Sequence, residues 1–171
     1  MAITRFRGEY FYLSNMFPLQ HGIETPDGVE VHTAEQLYLP ARLLDKAARL
    51  AVETATDGFE AKHTLKRLVK GGSPVRPDWE GVKVEKMRDC LTVKFRINPE
   101  LGEKLLLTDP EELIEGNRRN DRFWGVSPPH GGSGLNMLGK LLEETRDCLR
   151  DTSACPDFSI SVDELVQRIF S

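Results

Sequence analysis

Between Val84 and Phe95 the apolar residues Val84, Met87, Leu91 and Phe95 recur at intervals of three and four, the spacing that places them on one face of an α-helix. A stripe of that kind has to be buried, so this segment predicts a core helix. Asn98-Pro99 ends it, because proline disfavours the helical conformation in the residue before it.

Other helices announce themselves by their caps. Thr33-Ala34-Glu35-Gln36 matches a capping box, with Thr33 as N-cap and Glu35 in the first turn. Pro40 removes the backbone bond to the Gln36 carbonyl and so bends or ends that helix, while Leu43, Leu44, Ala47, Leu50 and Ala51 predict that helix resumes. Leu138, Leu141, Leu142, Thr145 and Leu149 define a further amphipathic helix, and Ser161-Val162-Asp163-Glu164 caps a short one near the end of the chain. Thr108-Asp109-Pro110-Glu111 repeats the capping-box pattern and predicts a short helix that stops at Gly116-Asn117.

Strand signals are few. Phe6 to Phe17 is aromatic-rich and β-prone, and Pro26-Asp27-Gly28 is a turn signal leading into Val29 and Val31, so two short strands are expected to form an N-terminal hairpin. The expected class is α+β, mostly helical. At 171 residues, with 29% charged and 39% hydrophobic residues, the chain is long enough to bury a core as one compact domain. A composition break from Asp151 to Phe158 places the end of the core domain near Arg150, giving residues 1–150 and a C-terminal extension, 151–171, with a short helix.

No apolar run approaches a membrane span and the N-terminus lacks the apolar centre of a signal peptide, which predicts a cytoplasmic protein with no membrane partner. Cys90, Cys148 and Cys155 are an odd number without a CxxC pair, so reduced thiols are expected rather than disulfides or a zinc knuckle. The four histidines show no metal-ligand spacing and no Walker or dinucleotide fingerprint occurs; neither a metal nor a cofactor is expected. A net charge of -4 argues against adhesion to nucleic acid through bulk positive charge, so a nucleotide or DNA ligand requires a local basic site.

Asn117 to Gly134 is rich in Gly, Pro, Asn and Asp, yet carries Asp121, Phe123 and Trp124, a density of functional side chains unusual for a connector. Four stretches, GEYFYLSNMFP (Gly8 to Pro18), TAEQLYLPAR (Thr33 to Arg42), WEGVKVEKMRDCLTVKF (Trp79 to Phe95) and Asn120 to Arg146 with NDRFWG and GSGLNMLGKLLEETR, together resemble the NADAR family over roughly residues 6 to 150. The resemblance implies a NADAR-type domain and cleavage of the bond between a ribose C1 and a base nitrogen. It also places Trp79 and Gly125 among the substrate-binding positions. The departures concentrate on one helix: Gln36 where the family often has His, Leu39 where it has Gln, and Arg42 where it has Lys. An arginine cannot shed its proton to become a nucleophile, so lysine chemistry at position 42 is in doubt.

Breaking an N-glycosidic bond develops oxocarbenium-like charge, which calls for a carboxylate to stabilise it or activate water. Glu35 and Asp121 are the candidates. As alternatives, Glu35 is a first-turn charge favoured by the helix dipole, and Asp121 is a turn residue. For a Schiff base with a ring-opened sugar, a chemistry the resemblance implies for parts of the family, Lys83 and Lys94 remain; both can instead snorkel to water. Trp124, Phe11 and Tyr12 offer faces for stacking on a base. Gly134, in the Gly-rich turn before the last long helix, offers backbone N–H groups to phosphate. Ser14, Asn15 and Asn136 offer neutral hydrogen bonds, and Arg42 or Arg146 a bidentate phosphate contact, with a structural role for Arg146 equally open.

Three readings follow. The first, implied by the resemblance, is removal of ADP-ribose from guanine in DNA, an antitoxin-type activity that would pair the protein with an ADP-ribosyltransferase toxin encoded nearby. The second keeps the bond and changes the substrate to the early ribosylamino-pyrimidine phosphates of riboflavin synthesis. The third is a non-catalytic module that binds ADP-ribose or a related nucleotide, motivated by Gln36, Leu39 and Arg42.

Overall fold

The expected core helix is longer than its stripe. In the computed structural model, which describes residues 1–129 and 131–171 and leaves His130 of the Gly-rich stretch outside the description, it runs from Trp79 to Ile97. In chain order the helices are α1 (Ala34–Tyr38), α2 (Lys46–Glu53), α3 (Gly58–Lys70), α4 (Trp79–Ile97), α5 (Pro99–Leu106), α6 (Met137–Arg150) and α7 (Val162–Phe170). The strands β1 (Ala2–Ile3), β2 (Ile23–Glu24), β3 (Glu30–Val31) and β4 (Glu112–Leu113) have two residues each. The protein is α+β and mostly helical. Among the described residues no helix is long and apolar enough to cross a membrane.

The chain divides into two compact units, one of Met1–Ser14 with Pro99–Ser159 and the other of Asn15–Asn98 with Ile160–Ser171. In the first, β1 pairs in parallel with β4, Ala2 opposite Glu112 and Ile3 opposite Leu113, and α6 packs on both α5 and β4. In the second, β2 and β3 form an antiparallel hairpin over the Pro26-Asp27-Gly28 turn. Gly28 takes φ +85° there, a conformation that a side chain would oppose.

In the second unit α4 is buried nearly all round in its C-terminal half. Met87, Cys90, Leu91, Val93 and Phe95 fill the core, and Lys86, Asp89 and Lys94 are buried with them. A buried charge has to be paired, and α7 supplies the partner for Asp89. Arg168 donates from Nε to Asp89 Oδ2 at 2.8 Å and from Nη2 to Oδ1, while Lys86 Nζ donates to the Arg168 carbonyl. The capping box predicted at Ser161 is present at the start of α7.

Several expectations are corrected. Residues 8–13 form a 3-10 helix and not a strand; β-propensity is decided by what a segment packs against, and here Tyr12 and Leu13 are buried as one turn of helix. The hairpin lies after this segment, across residues 23–31. Thr108 opens no helix: it donates its hydroxyl to the Leu105 carbonyl at the end of α5, and the chain enters β4. Pro40 ends α1 in a 3-10 turn over Leu39–Arg42, and helix resumes at Lys46, with Asp45 as cap. Leu43 pairs with Val75 in an isolated bridge instead of joining the stripe, and Leu44 is exposed. Cys148 and Cys155 form a disulfide, leaving Cys90 free and buried. After α6 two one-turn 3-10 helices, 152–154 and 156–158, fold the chain back, a return that cysteine counting does not see.

Candidate functional site

In the second unit the candidate group is built around the first turn of α1. The Thr33 hydroxyl accepts from Gln36 N–H at 3.1 Å, and the Glu35 N–H donates to the Asn15 carbonyl at 3.0 Å. Glu35 is thereby fixed with only 6% of its surface exposed. Lys62 of α3 brings its ammonium to 3.6 Å from Glu35 Oε1. The sequence singles out no such residue, and the reason it arrives is steric. Asp57 caps α3 by accepting from Glu60 N–H, and Gly58 packs so closely that a Cβ would meet Met16 Sδ at 2.8 Å and Glu35 Cβ at 3.1 Å. Lys62 stands one turn further along the same face. The contact sets a positive charge beside the Glu35 carboxylate.

Three buried polar atoms of this unit make no hydrogen bond among the described residues: Asn15 Oδ1, Arg42 Nε and Glu53 Oε1. Asn15 is buried, its Nδ2 spent on the weak acceptor Met87 Sδ at 3.2 Å, and its Oδ1 makes no hydrogen bond among the described residues. Arg42 Nε is likewise buried without an acceptor. Buried polar atoms are nearly always satisfied, so an orphan acceptor and an orphan guanidinium donor in the same unit invite a ligand carrying both a donor and an anion. Tyr38 lies in the field of both Glu35 and Arg42; burial raises its phenol well above the usual range, the Cys90 and Glu35 charges adding to the effect and Arg42 opposing it.

Of the two candidate lysines on α4, Lys83 pairs with Glu80 one turn earlier, whereas Lys94 does not snorkel at all. It is fully buried, its Nζ lies 5.0 Å from the Phe95 ring centroid, and burial pulls its ammonium down from 10.5 to about 7. An amine in that range is partly neutral near pH 7, as a nucleophile must be. Trp79, the first residue of α4, is buried with its ring 5.2 Å from that of Tyr38. Two of the residues that replace the family's pattern are accounted for by packing: on α1, Gln36 Nε2 donates to the Glu53 and Ala55 carbonyls, and in the 3-10 turn after it Leu39 is in the core.

The first unit holds the loop residues. Asp121 Oδ1 accepts from the N–H groups of Phe123 and Trp124 at 3.1 and 2.9 Å, an Asx-type turn. Its Oδ2 accepts no hydrogen bond among the described residues. The Trp124 ring sits edge-on to Phe123 at 5.0 Å and is half-buried. Gly125 and Gly134 are explained by close approach: a Cβ on Gly125 would lie 2.1 Å from the Glu115 carbonyl oxygen, and one on Gly134 would lie 2.0 Å from that of Gly125. Asn136 caps α6 with φ +51° and uses its amide to stitch the strand region, accepting from Glu115 N–H and donating to the Leu113 carbonyl. Arg146, also buried, donates from Nη1 to Thr108 Oγ1 and to the Glu111 carbonyl. Ser14 ends the 3-10 helix, its N–H donating to the Phe11 carbonyl; Tyr12 donates to the Lys104 carbonyl.

The sequence profile of the NADAR domain matches residues 5–150. The chain belongs to the NADAR family. Among its relatives the N-glycosidase YbiA of Escherichia coli is 35% identical over 123 residues, covering 72% of this chain and 73% of that one. A segment of the chloroplastic riboflavin biosynthesis protein PYRR of Arabidopsis thaliana is 44% identical over 72 residues, 42% of this chain and 12% of the plant protein. The NMR structure of E. coli YbiA superposes with a TM-score of 0.72 at 29% identity, covering 91% of this chain and 87% of YbiA. This NADAR chain is an enzyme of the hydrolase class that acts on N-glycosyl bonds. Among the described residues no group of three or more His, Cys, Asp or Glu is placed to hold a metal ion.

Proposed function

We propose that the protein removes ADP-ribose from guanine in DNA by hydrolysing the bond between ribose C1 and the base nitrogen, an antitoxin-type activity that pairs it with an ADP-ribosyltransferase. The observation that carries this reading is the buried Glu35 carboxylate with the Lys62 ammonium beside it. As general base, Glu35 accepts a proton from water as the oxygen bonds to C1; the C1–N pair leaves with the base, which takes up a proton. The orphan Asn15 Oδ1 suits a ribose hydroxyl, and the Arg42 guanidinium suits a diphosphate oxygen. Lys94 offers the other route: its amine adds to C1 of the ring-opened sugar while the base is still joined there as an imine, the base leaves with a proton as the lysine imine forms, and water hydrolyses that imine to free the sugar and restore the amine.

The test is to incubate the protein with DNA modified on guanine by an ADP-ribosyltransferase and to measure free ADP-ribose. Release is the expected result, and intact substrate overturns the reading. The similarity to the PYRR segment favours a second reading, hydrolysis of a ribosylamino-pyrimidine phosphate. Ribose 5-phosphate released from that compound, with no action on the modified DNA, selects it.

A further inference from the structure

The overall charge of -4 demands a local basic site for any DNA ligand, and the first unit contains one. Arg5, Arg7, Gly116, Asn117, Arg118 and Pro129 line a cavity of about 210 Å³. Three of its six lining residues are arginines, and no carboxylate is among them. All three are exposed, and neither Arg7 nor Arg118 forms an ion pair among the described residues.

The fold builds this convergence. Parallel pairing of β1 with β4, extended by the Ile114 N–H donating to the Ile3 carbonyl, runs the chain after β1 along the chain after β4. Gly116 lets the two close, since a Cβ there would lie 2.2 Å from the Thr4 carbonyl oxygen. Asn117 then turns the next residues: its Oδ1 accepts from the N–H groups of Arg119 and Asp121, and its Nδ2 donates to the Asp121 carbonyl. One asparagine thus lines the arginine cavity and shapes the loop bearing Asp121 and Trp124. Exposed Arg119 and Arg122 continue the positive charge along that loop.

We infer that this cavity binds backbone phosphates of the DNA strand that carries the substrate base. Guanidinium forks match phosphate oxygens in geometry and charge. A cavity followed by two more arginines suits a ligand with a phosphate at every nucleotide better than one isolated anion. The inference deepens the reading of a DNA-borne substrate and rests on it, yet it is measured without turnover.

The experiment is fluorescence anisotropy of an unmodified single-stranded DNA oligonucleotide with the full chain, at several chloride concentrations. The wild type is expected to bind with a marked salt dependence. The double variant Arg7→Ala/Arg118→Ala should bind about tenfold more weakly, with the slope of log K against log salt reduced by roughly 1.4, or about 0.7 for each lost phosphate contact. An unchanged Kd and slope in the double variant overturns the inference, as does a wild type that fails to bind at low salt. Inorganic phosphate at matched ionic strength should displace the oligonucleotide no better than chloride; preferential displacement makes this a single-phosphate site and also overturns it. Cleavage of ADP-ribosylated DNA by a double variant whose binding is unchanged leaves the proposed activity standing and removes this site. Arginine-dependent binding without cleavage does the reverse.

Discussion

The two units handle charge in opposite ways. The second buries it: Glu35, Glu53, Lys86, Asp89 and Lys94 are all at most 6% exposed, and several have shifted proton affinities. The first keeps its arginine cluster and Asp121 at or near the surface and buries backbone instead, with Gly116, Gly125, Gly134 and Gly139 each admitting a carbonyl oxygen where a Cβ would stand. Ionisable groups removed from water are tools for chemistry; backbone packed on backbone makes a rigid frame for binding loops. The contrast sets buried ionisable groups in the second unit against exposed arginines on a backbone-packed frame in the first.

The largest expected effect tests the reactive side. Glu35→Gln should lower kcat by at least about 100-fold with little change in melting temperature, and a variant within a few-fold of wild type removes Glu35 from the chemistry. Next is the buried pair: Arg168→Met strands the Asp89 carboxylate in the core and should destabilise by about 3 kcal/mol, read from denaturant unfolding. On the other side of the contrast, Gly134→Ala pushes a methyl into the Gly125 carbonyl and should cost about 1–3 kcal/mol, also by denaturant unfolding. If Gly134→Ala leaves stability intact, the frame is looser than its geometry indicates. Lys62→Met is expected to reduce kcat by about tenfold, and Lys62→Arg to restore most of it; equal losses in both variants would argue for a steric role.

The smallest effect is in pH. Burial raises the Glu53 carboxyl from 4.5 to about 7, with the nearby Asp27 charge adding to the effect. Between those values the folded chain holds a proton that the unfolded chain has released, so this group's stabilisation falls as pH rises. Lys94, lowered from 10.5 to about 7, acts in the opposite sense above pH 7: the unfolded lysine keeps its proton, the folded one has lost it, and stability rises. Melting temperatures across this range should dip near neutrality. Glu53→Gln should flatten the acid side of the dip and Lys94→Met the alkaline side.

What the sequence displays is what local chemistry decides. The caps at Thr33 and Ser161, the stripe along α4 and the turn at Pro26-Asp27-Gly28 were all legible because each is fixed by residues within a few positions. The Thr108 cap misled because long-range pairing with residues 2–3 outweighs a capping preference. Among candidate site residues, Glu35 is legible from its helix turn and from the family pattern. Lys62 is not, since it reaches Glu35 only through the Gly58 contact between two helices. The arginine cavity is equally hidden, because residues 5–7 and 118 meet only through a parallel strand pair.

Similarity to the NADAR profile stops at residue 150, but the second unit includes Ile160–Ser171. A protein trimmed at that limit would lose the guanidinium that holds Asp89, on the same helix that carries Lys94. The edge of the shared pattern marks how far common ancestry can be traced, and it is a poor guide to where this chain can be cut.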